Sequence, residues 1–154
     1  MEVGTVFNTQ KQYVIFKLNE EYYAANVSYI VSIEKYMPVT RVPMARKSTL
    51  GIINLRGEVI TIVDVKSILG IPDKQASGSR IMITEISNSK IGMVVDSVVE
   101  VAEITSSMMQ DNVMVFQGKN REAITGVAYV NDKYVMVLDM ESLLWGDVVE
   151  CPLT

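Results

Sequence analysis

The stretch formed by residues 51–70 constrains the fold of this chain most, because it carries a complete strand, turn, strand and helix pattern. Arg56 and Gly57 separate two apolar runs rich in Ile and Val, which is typical of a β-hairpin. Asp64 fits the N-cap of a one-turn helix, and Gly70 fits the left-handed residue that ends such a helix. The stretch therefore predicts two paired strands followed directly by a short capped helix.

A second copy of this pattern lies downstream, which indicates an internal repeat. At an offset of 75 positions, Gly51, Asp64, Ser67 and Leu69 correspond to Gly126, Asp139, Ser142 and Leu144. At an offset of 68 positions, Ile15, Val27, Ile30, Val31 and Ile33 correspond to Ile83, Val95, Val98, Val99 and Val101. We therefore expect two similar units of about 70 residues, with a longer internal connection in the second.

Short strands dominate both units, and this predicts an all-β fold of two small barrels, since closing a sheet on itself removes its exposed edges. The first predicted barrel comprises residues 13–80 and the second comprises residues 81–146. Whether the N-terminal residues join the second barrel is left open by the pattern. Apolar residues at i, i+3 and i+4 within residues 27–33 predict a short helix, and residues 95–99 repeat that spacing.

Composition places the chain among globular proteins with a substantial core, since 49% of its 154 residues are hydrophobic. No apolar run approaches the roughly 18 to 20 residues that span a bilayer, and the N-terminus lacks the layout of a signal peptide. The single cysteine, Cys151, cannot form an intrachain disulfide, which suits a reducing compartment. These features predict a cytoplasmic protein, and the net charge of −4 disfavours nucleic acid as a partner.

The sequence lacks the residues and motifs that most enzymes use for catalysis. Histidine is absent, which excludes Ser-His-Asp and Cys-His sites and the two-histidine zinc helix. No glycine-rich phosphate loop is present, and the carboxylates of Asp64 and Asp139 both stand where helix N-caps are expected. We therefore predict a protein that is not an enzyme and that has no catalytic residues, cofactor or metal.

The residue types at some positions are not explained by the requirements of local structure. Arg56 occupies a turn position where the second copy has Asn131, so the turn itself does not require an arginine. A solvated surface charge and a binding role both fit this arginine. The apolar residues Val27, Ile30, Ile33 and Val98 fit either a barrel core or the lining of a groove between the barrels.

Residues 51–65, with the sequence GIINLRGEVITIVDV, resemble the signature G-x-x-N-L-R-G-x-h-h-P-h-h-D-h of the CheW family, where h is apolar. Residues 92–98, GMVVDSV, are similar to a second family pattern, G-h-h-V-D-x-V. Thr61 departs from the signature, because the family often has proline there. The similarity extends over residues 13–145, so the whole chain resembles a single CheW-like domain.

The resemblance implies two five-stranded SH3-like barrels with short helices and a groove between them. It also implies a non-catalytic adaptor that couples the cytoplasmic tips of methyl-accepting chemoreceptors to the regulatory domain of the histidine kinase CheA in chemotaxis. Such a protein is held at the inner face of the membrane through receptor complexes, without inserting into the bilayer. By position, the expected receptor-binding residues are Val14, Val27, Ile30, Ile33, Arg56 and Val98. The expected kinase-binding residues are Thr40, Val42 and Met44.

Two alternatives to a free-standing adaptor remain. The chain resembles a CheW-like module of a larger chemotaxis protein, such as CheV or a fragment of CheA; we expect the adaptor instead, because residue 154 follows closely on the last predicted helix. An SH3-like barrel that binds RNA is a more distant alternative, which the acidic balance of the chain disfavours.

Overall fold

Residues 11–43, 47–74, 78–110 and 121–149 are described by a computed structural model of the chain. The strands of this part are β1 (Gln12–Leu18), β2 (Glu21–Asn26), β3 (Ile30–Lys35), β4 (Thr49–Leu55), β5 (Glu58–Val63), β6 (Arg80–Ile86), β7 (Ser89–Val95), β8 (Ser97–Glu103), β9 (Met109–Gln110), β10 (Ile124–Val130) and β11 (Lys133–Leu138). The helices are α1 (Val65–Leu69) and α2 (Met140–Val149), and 3-10 turns comprise Val27–Tyr29, Ser106–Met108 and Arg121–Ala123. The predicted all-β class is confirmed.

The strands form two sheets, and the chain crosses between them twice. One sheet has five strands in the order β3-β6-β7-β5-β4, and the other has six in the order β8-β1-β2-β11-β10-β9. The chain crosses to the five-stranded sheet through the 3-10 turn Val27–Tyr29, and it returns through Asp96. The sheets are therefore built from one central segment and from two outer segments.

This topology differs from the predicted division of the barrels at residue 80. Strands β1 and β2 belong to the six-stranded sheet, whereas β6 and β7 belong to the five-stranded sheet. Two parallel pairings join the hairpins of different repeats, β11 with β2 and β5 with β7. Each repeat thus contributes its first hairpin to the sheet of the other. An isolated hairpin is marginally stable and needs further strands beside it, and here a hairpin of the other repeat supplies them.

The turn and cap chemistry predicted from the sequence is present. Arg56 and Gly57 have φ angles of 50° and 87°, the positive values that a tight two-residue hairpin turn requires. Asp64 accepts a hydrogen bond from the Ser67 amide at 3.3 Å, and Gly70 ends α1 with a φ of 71°. In the second repeat Asp139 accepts from the Ser142 amide at 3.2 Å. Both aspartates are therefore helix caps.

The short helices predicted over residues 27–33 and 95–99 are wrong. Residues 27–29 form a single 3-10 turn, and β3 begins immediately afterwards at Ile30. The corresponding segment of the second repeat is the strand β8. Apolar residues three positions apart share a face here because each strand contains a β-bulge, which adds one residue to the alternation.

Three hydrophobic clusters make up the core of the described residues. One lies on the five-stranded sheet and contains Ile53, Ile60, Ile62, Ile81 and Ile83. Another lies on the six-stranded sheet and contains Ile15, Ala24, Ile104, Ala128, Val130, Val135 and Val137. The largest draws residues from both sheets and from both helices, including Phe16, Met82, Met93, Met136 and Leu144. We call it the inter-sheet core. The described helices include none with the length and apolar character needed to cross a bilayer.

The five-stranded sheet is closed into a barrel by Thr40, which follows β3 and bridges to β4. The Thr40 amide donates to the Ile52 carbonyl at 2.9 Å, and the Ile52 amide donates to the Thr40 carbonyl at 2.8 Å. Gly51 lies beside this bridge with a φ of 151°, and a Cβ added there would clash with the Thr40 carbonyl oxygen. Glycine is therefore required at this position by the close approach of the backbone.

Replacing Gly51 by alanine should lower the free energy of unfolding by about 2 kcal/mol or more, because the new Cβ displaces the bridge that closes the barrel. Urea unfolding measures this loss. Gly57→Ala is the matched control, since Gly57 also has a positive φ but has nothing within 4 Å of its Cβ position. Its expected loss is only about 1 kcal/mol from the left-handed backbone. Equal losses in the two variants would show that the bridge is unimportant.

Candidate functional site

Ile30 and Ile33 lie on the same face of edge strand β3, although residues three apart alternate in a regular strand. Ile30 pairs with Thr84 on β6 and Ile33 pairs with Met82, and the register shifts at the intervening Val31. Thr84 and Met82 are two residues apart, so they share a face of the sheet, and so do their partners. The β-bulge at Val31 thus turns both isoleucines toward the side of the inter-sheet core.

Edge strand β8 repeats this arrangement in the other sheet. Val98 pairs with Phe16 on β1, Val101 pairs with Val14, and the register shifts at Val99. The bulge brings Val98 and Val101 to the same face, as the bulge in β3 does for its isoleucines. Edge strands commonly carry bulges, which disrupt the pairing that would otherwise extend the sheet.

These edge strands combine buried and accessible apolar side chains. Val27, Ile30 and Val98 are half-buried and pack against the inter-sheet core. Ile33 is 41% exposed and Val101 is 58% exposed. We call the set formed by Val27, Ile30, Ile33, Val98 and Val101 the edge-strand surface. Large apolar side chains left this accessible are candidates for contact with another protein.

Val14 does not belong to this accessible surface. It is 3% exposed and is a member of the inter-sheet core. Its strand, β1, is paired with β2 on one side and with β8 on the other. The assignment of Val14 to a receptor surface is therefore corrected: with both edges and this face of β1 covered, the side chain has no route to a partner.

Arg56 reaches edge strand β3 from the tip of the β4–β5 hairpin. Its Nη2 lies 3.0 Å from Glu34 Oε2, while 71% of the arginine side chain stays exposed. Ser32 Oγ also donates to this carboxylate oxygen, at 2.8 Å. These donors, Ser32 first and Arg56 next, hold the pKa of Glu34 below its ordinary value. Glu34 pairs with Ile81 and so faces the side of β3 opposite to Ile33, and it is this other side that Arg56 contacts.

Two of the predicted contact residues for the kinase can be located. Thr40 is exposed and its backbone closes the barrel, and Val42 is half-buried. Met44 lies outside the described residues. Thr40 is therefore held in place by β4, and its side chain can contact a partner without disturbing the barrel.

A buried polar junction connects the two sheets close to the second crossing of the chain. The Nζ of Lys66, on α1, lies 3.0 Å from Asp96 Oδ1, and the side chains of this pair are only 7% and 10% exposed. Asp96 Oδ2 accepts from the Asn19 amide in the β1–β2 turn at 2.6 Å, and the Asp96 amide donates to the Lys17 carbonyl. Asp96 therefore ties the six-stranded sheet to the helix that follows the five-stranded sheet.

The same junction also holds the segment that follows α1. Lys66 Nζ donates to the Lys74 carbonyl at 2.9 Å and lies 3.5 Å from Asp73 Oδ1. Asn19 Nδ2 donates to the Pro72 carbonyl at 2.8 Å. Sequence reasoning missed this junction, although Asp96 lies within the pattern at residues 92–98. Its burial and its partners depend on pairing between distant segments, which local pattern does not contain.

Sequence reasoning also missed Val101 and Glu34. Val101 corresponds to Ile33 in the repeat, so the offset of 68 positions is a signal that identifies it. Glu34 has no such signal, because its role depends on the hairpin that brings Arg56 to it. In the described ranges, no group of three or more His, Cys, Asp or Glu side chains is arranged to hold a metal ion.

A family model described as a CheW-like domain matches residues 12–146 of the chain. The chemotaxis protein CheW of Treponema pallidum is 30% identical to it, over 90% of this chain and 84% of that protein. The CheW of Bacillus subtilis is 26% identical, over 88% of each chain. The chemotaxis protein CheV3 of Helicobacter pylori is 30% identical, but the match spans only 42% of that longer protein.

A solved structure gives the same result for the fold. The scaffolding protein TtCheW from Thermoanaerobacter tengcongensis superposes with a TM-score of 0.78 and 32% sequence identity, covering 88% of each chain. The similarity therefore extends over most of the two sheets, to which the edge strands β3 and β8 belong.

Proposed function

Because this chain belongs to the CheW-like family of chemotaxis scaffold proteins, we propose that it couples the cytoplasmic tips of chemoreceptors to the regulatory domain of the histidine kinase CheA. In this role it binds both partners and catalyses no reaction itself. It acts in the cytoplasm, at the inner face of the membrane to which the receptors hold it. The second candidate is the same binding module within a longer protein, which the partial match to CheV3 favours.

The observation that carries this proposal is the edge-strand surface, with the Arg56–Glu34 pair on the other face of the same edge strand, β3. Ile33 is substantially exposed although it shares a strand face with a half-buried isoleucine. An edge strand with an exposed apolar side chain on one face and a charge pair on the other suits a helical partner that presents an apolar stripe with polar edges. We therefore assign receptor binding to Val27, Ile30, Ile33, Val98, Val101 and Arg56, and kinase binding to the separate surface around Thr40, Val42 and Met44.

Titration of the purified chain with a receptor tip fragment and with a CheA regulatory domain tests the proposed function. Both should bind, and a preformed complex with one should still bind the other, since the two surfaces are distinct. Competition between the partners would place them on one surface. Failure of either partner to bind the folded chain would refute the coupling role.

Arg56→Ala should weaken receptor binding by about three- to tenfold, because an exposed charge at the rim of an interface contributes modestly and through the association rate. Kinase binding should not change. Association rates measured at low and high salt check this, with the difference between variant and wild type shrinking at high salt. Glu34→Gln is the matched control, since it leaves the arginine in place without its ion pair. If Arg56 acts only by pairing with Glu34, both variants will show the same loss.

A further inference from the structure

Lys35 and Arg80 form a like-charge pair across two neighbouring strands. Lys35 ends β3, Arg80 begins β6, and the two are direct partners in the antiparallel register. Side chains at such positions lie on one face with Cβ atoms about 4.5 to 5.5 Å apart, and like charges there are unfavourable. The pair therefore has an electrostatic cost that a bound anion would remove.

Neither cation is neutralised by a carboxylate of the described residues. Five other cations of this part of the chain do form ion pairs: Lys17, Arg56, Lys66, Lys90 and Lys133. Arg80 Nη1 donates instead to the carbonyls of Gly78 and Ser79, at 3.0 and 3.3 Å. These neutral acceptors leave the charge of the guanidinium uncompensated.

Lys35 and Arg80 both line a cavity of about 600 Å³ that opens to solvent. Tyr36 and Leu50, which are exposed, also line it, and so does the half-buried Val94. The cavity thus offers two cations beside an apolar wall. A side chain that enters it can contact both kinds of surface at once.

The carboxylates of the same cavity already have partners. Asp96 and Asp73 both contact Lys66 Nζ, and Asp64 accepts from the Ser67 amide as the cap of α1. The charges of Asp96 and Asp73 are therefore paired with Lys66, whereas Asp64 is held at the start of α1 by a neutral donor. Lys35 and Arg80 line the same cavity and have no carboxylate partner among the described residues, so they are the cations that an incoming anion would meet.

We propose that this cavity, the Lys35–Arg80 pocket, binds an acidic side chain of the kinase regulatory domain, with an apolar neighbour of that side chain resting on Tyr36 and Leu50. A carboxylate placed between the two cations accepts charge-assisted hydrogen bonds from both. The identity of the partner rests on the proposed function. It is favoured by position, because Leu50 lies on β4 two residues before Ile52, to which Thr40 of the proposed kinase surface is bridged.

Titrating the kinase regulatory domain into Lys35→Glu tests the pocket. Kinase affinity should fall about tenfold and become less sensitive to salt, because an attractive contact becomes a repulsive one. The melting temperature should stay unchanged or rise by about 2 °C, since the substitution replaces a cross-strand repulsion with an attraction to Arg80. A loss of affinity without a loss of stability is the signature of a binding role, and the same signature is expected for Arg80→Glu.

Lys11→Glu is the control, because Lys11 is exposed and precedes β1 in the other sheet. It should leave kinase affinity unchanged, and all three variants should bind the receptor tip as the wild type does. Unchanged kinase affinity in Lys35→Glu and Arg80→Glu, with normal wild-type binding, would overturn the pocket and leave the proposed function standing. An equal loss in Lys11→Glu would also overturn it, by showing a general charge effect. A wild-type chain that fails to bind the kinase domain would overturn both.

Discussion

Replacing Ile33 by aspartate should weaken binding of the receptor tip about 100-fold, while kinase affinity and melting temperature stay close to wild type. Covering the exposed 41% of the Ile33 side chain contributes about 1 kcal/mol, and a carboxylate placed there costs about 2 kcal/mol or more in lost hydration. Since each 1.4 kcal/mol is about tenfold, the two effects together reach two orders of magnitude. Paired titrations with the two partners, beside a melting curve, measure the result.

Two neighbours on β3 provide matched controls for Ile33→Asp. Ile30→Asp places the same charge against the inter-sheet core, so the melting temperature and the binding of both partners should fall together. Ile30 is also a predicted groove residue, but its packing against the inter-sheet core makes Ile33 the cleaner test. Val31→Asp changes the exposed bulge residue and should affect neither partner strongly. If Ile33→Asp behaves like Val31→Asp, this face of β3 is not the receptor surface.

Lys66→Met should lower the free energy of unfolding by about 3 kcal/mol or more, because it leaves the carboxylate of Asp96 buried without its counter-charge. The backbone N–H of Asn19 would remain as a hydrogen-bond donor to Asp96, but this group carries no charge. Methionine keeps most of the length and the apolar stem of lysine, so the loss reports on the charge. Urea unfolding monitored by tryptophan fluorescence and by circular dichroism measures it.

The double variant Lys66→Met with Asp96→Asn separates the ion pair from the rest of the junction. Removing both charges should recover at least half of the loss, since replacing a buried pair costs less than breaking it. Asparagine replaces one carboxylate oxygen of Asp96 by an NH₂ group, but its remaining side-chain oxygen can still accept from the backbone N–H of Asn19. A double variant as unstable as the sum of the single variants would show that the two charges do not interact.

Local chemistry in the sequence predicted the individual elements well. The positive φ of Arg56 and Gly57 follows from the need to reverse the chain in two residues, and the cap at Asp64 follows from the unpaired amides at a helix start. Both are decided within a few residues, so the pattern is sufficient. The helix predicted over residues 27–33 failed for the same reason, because a 3-10 turn followed by a bulged strand produces the same local spacing of apolar residues.

The candidate site was predicted only in part, because accessibility depends on distant segments. The repeat identified Val98 as the counterpart of Ile30, and both pack against the inter-sheet core. Val14 was assigned by position from the family resemblance, and position alone did not show that its side chain is buried in the inter-sheet core. Lys35 and Arg80 are 45 positions apart in the chain, and their opposition depends on the register of β3 with β6.

Residue type and short spacing in the sequence were enough to establish the class of fold, the hairpins with their turns and caps, and the family. How the two repeats share their strands was visible only in the tertiary structure. Each repeat contributes its first hairpin to the sheet of the other through the parallel pairs β2–β11 and β5–β7. Strands pair through backbone hydrogen bonds, and side chains say little about which strands will pair. Equivalent hairpins of the two repeats can therefore pair within one copy or between copies. The exchange places Asp96 at a crossing and Lys66 against it, and so it creates the buried junction and the surfaces on either side.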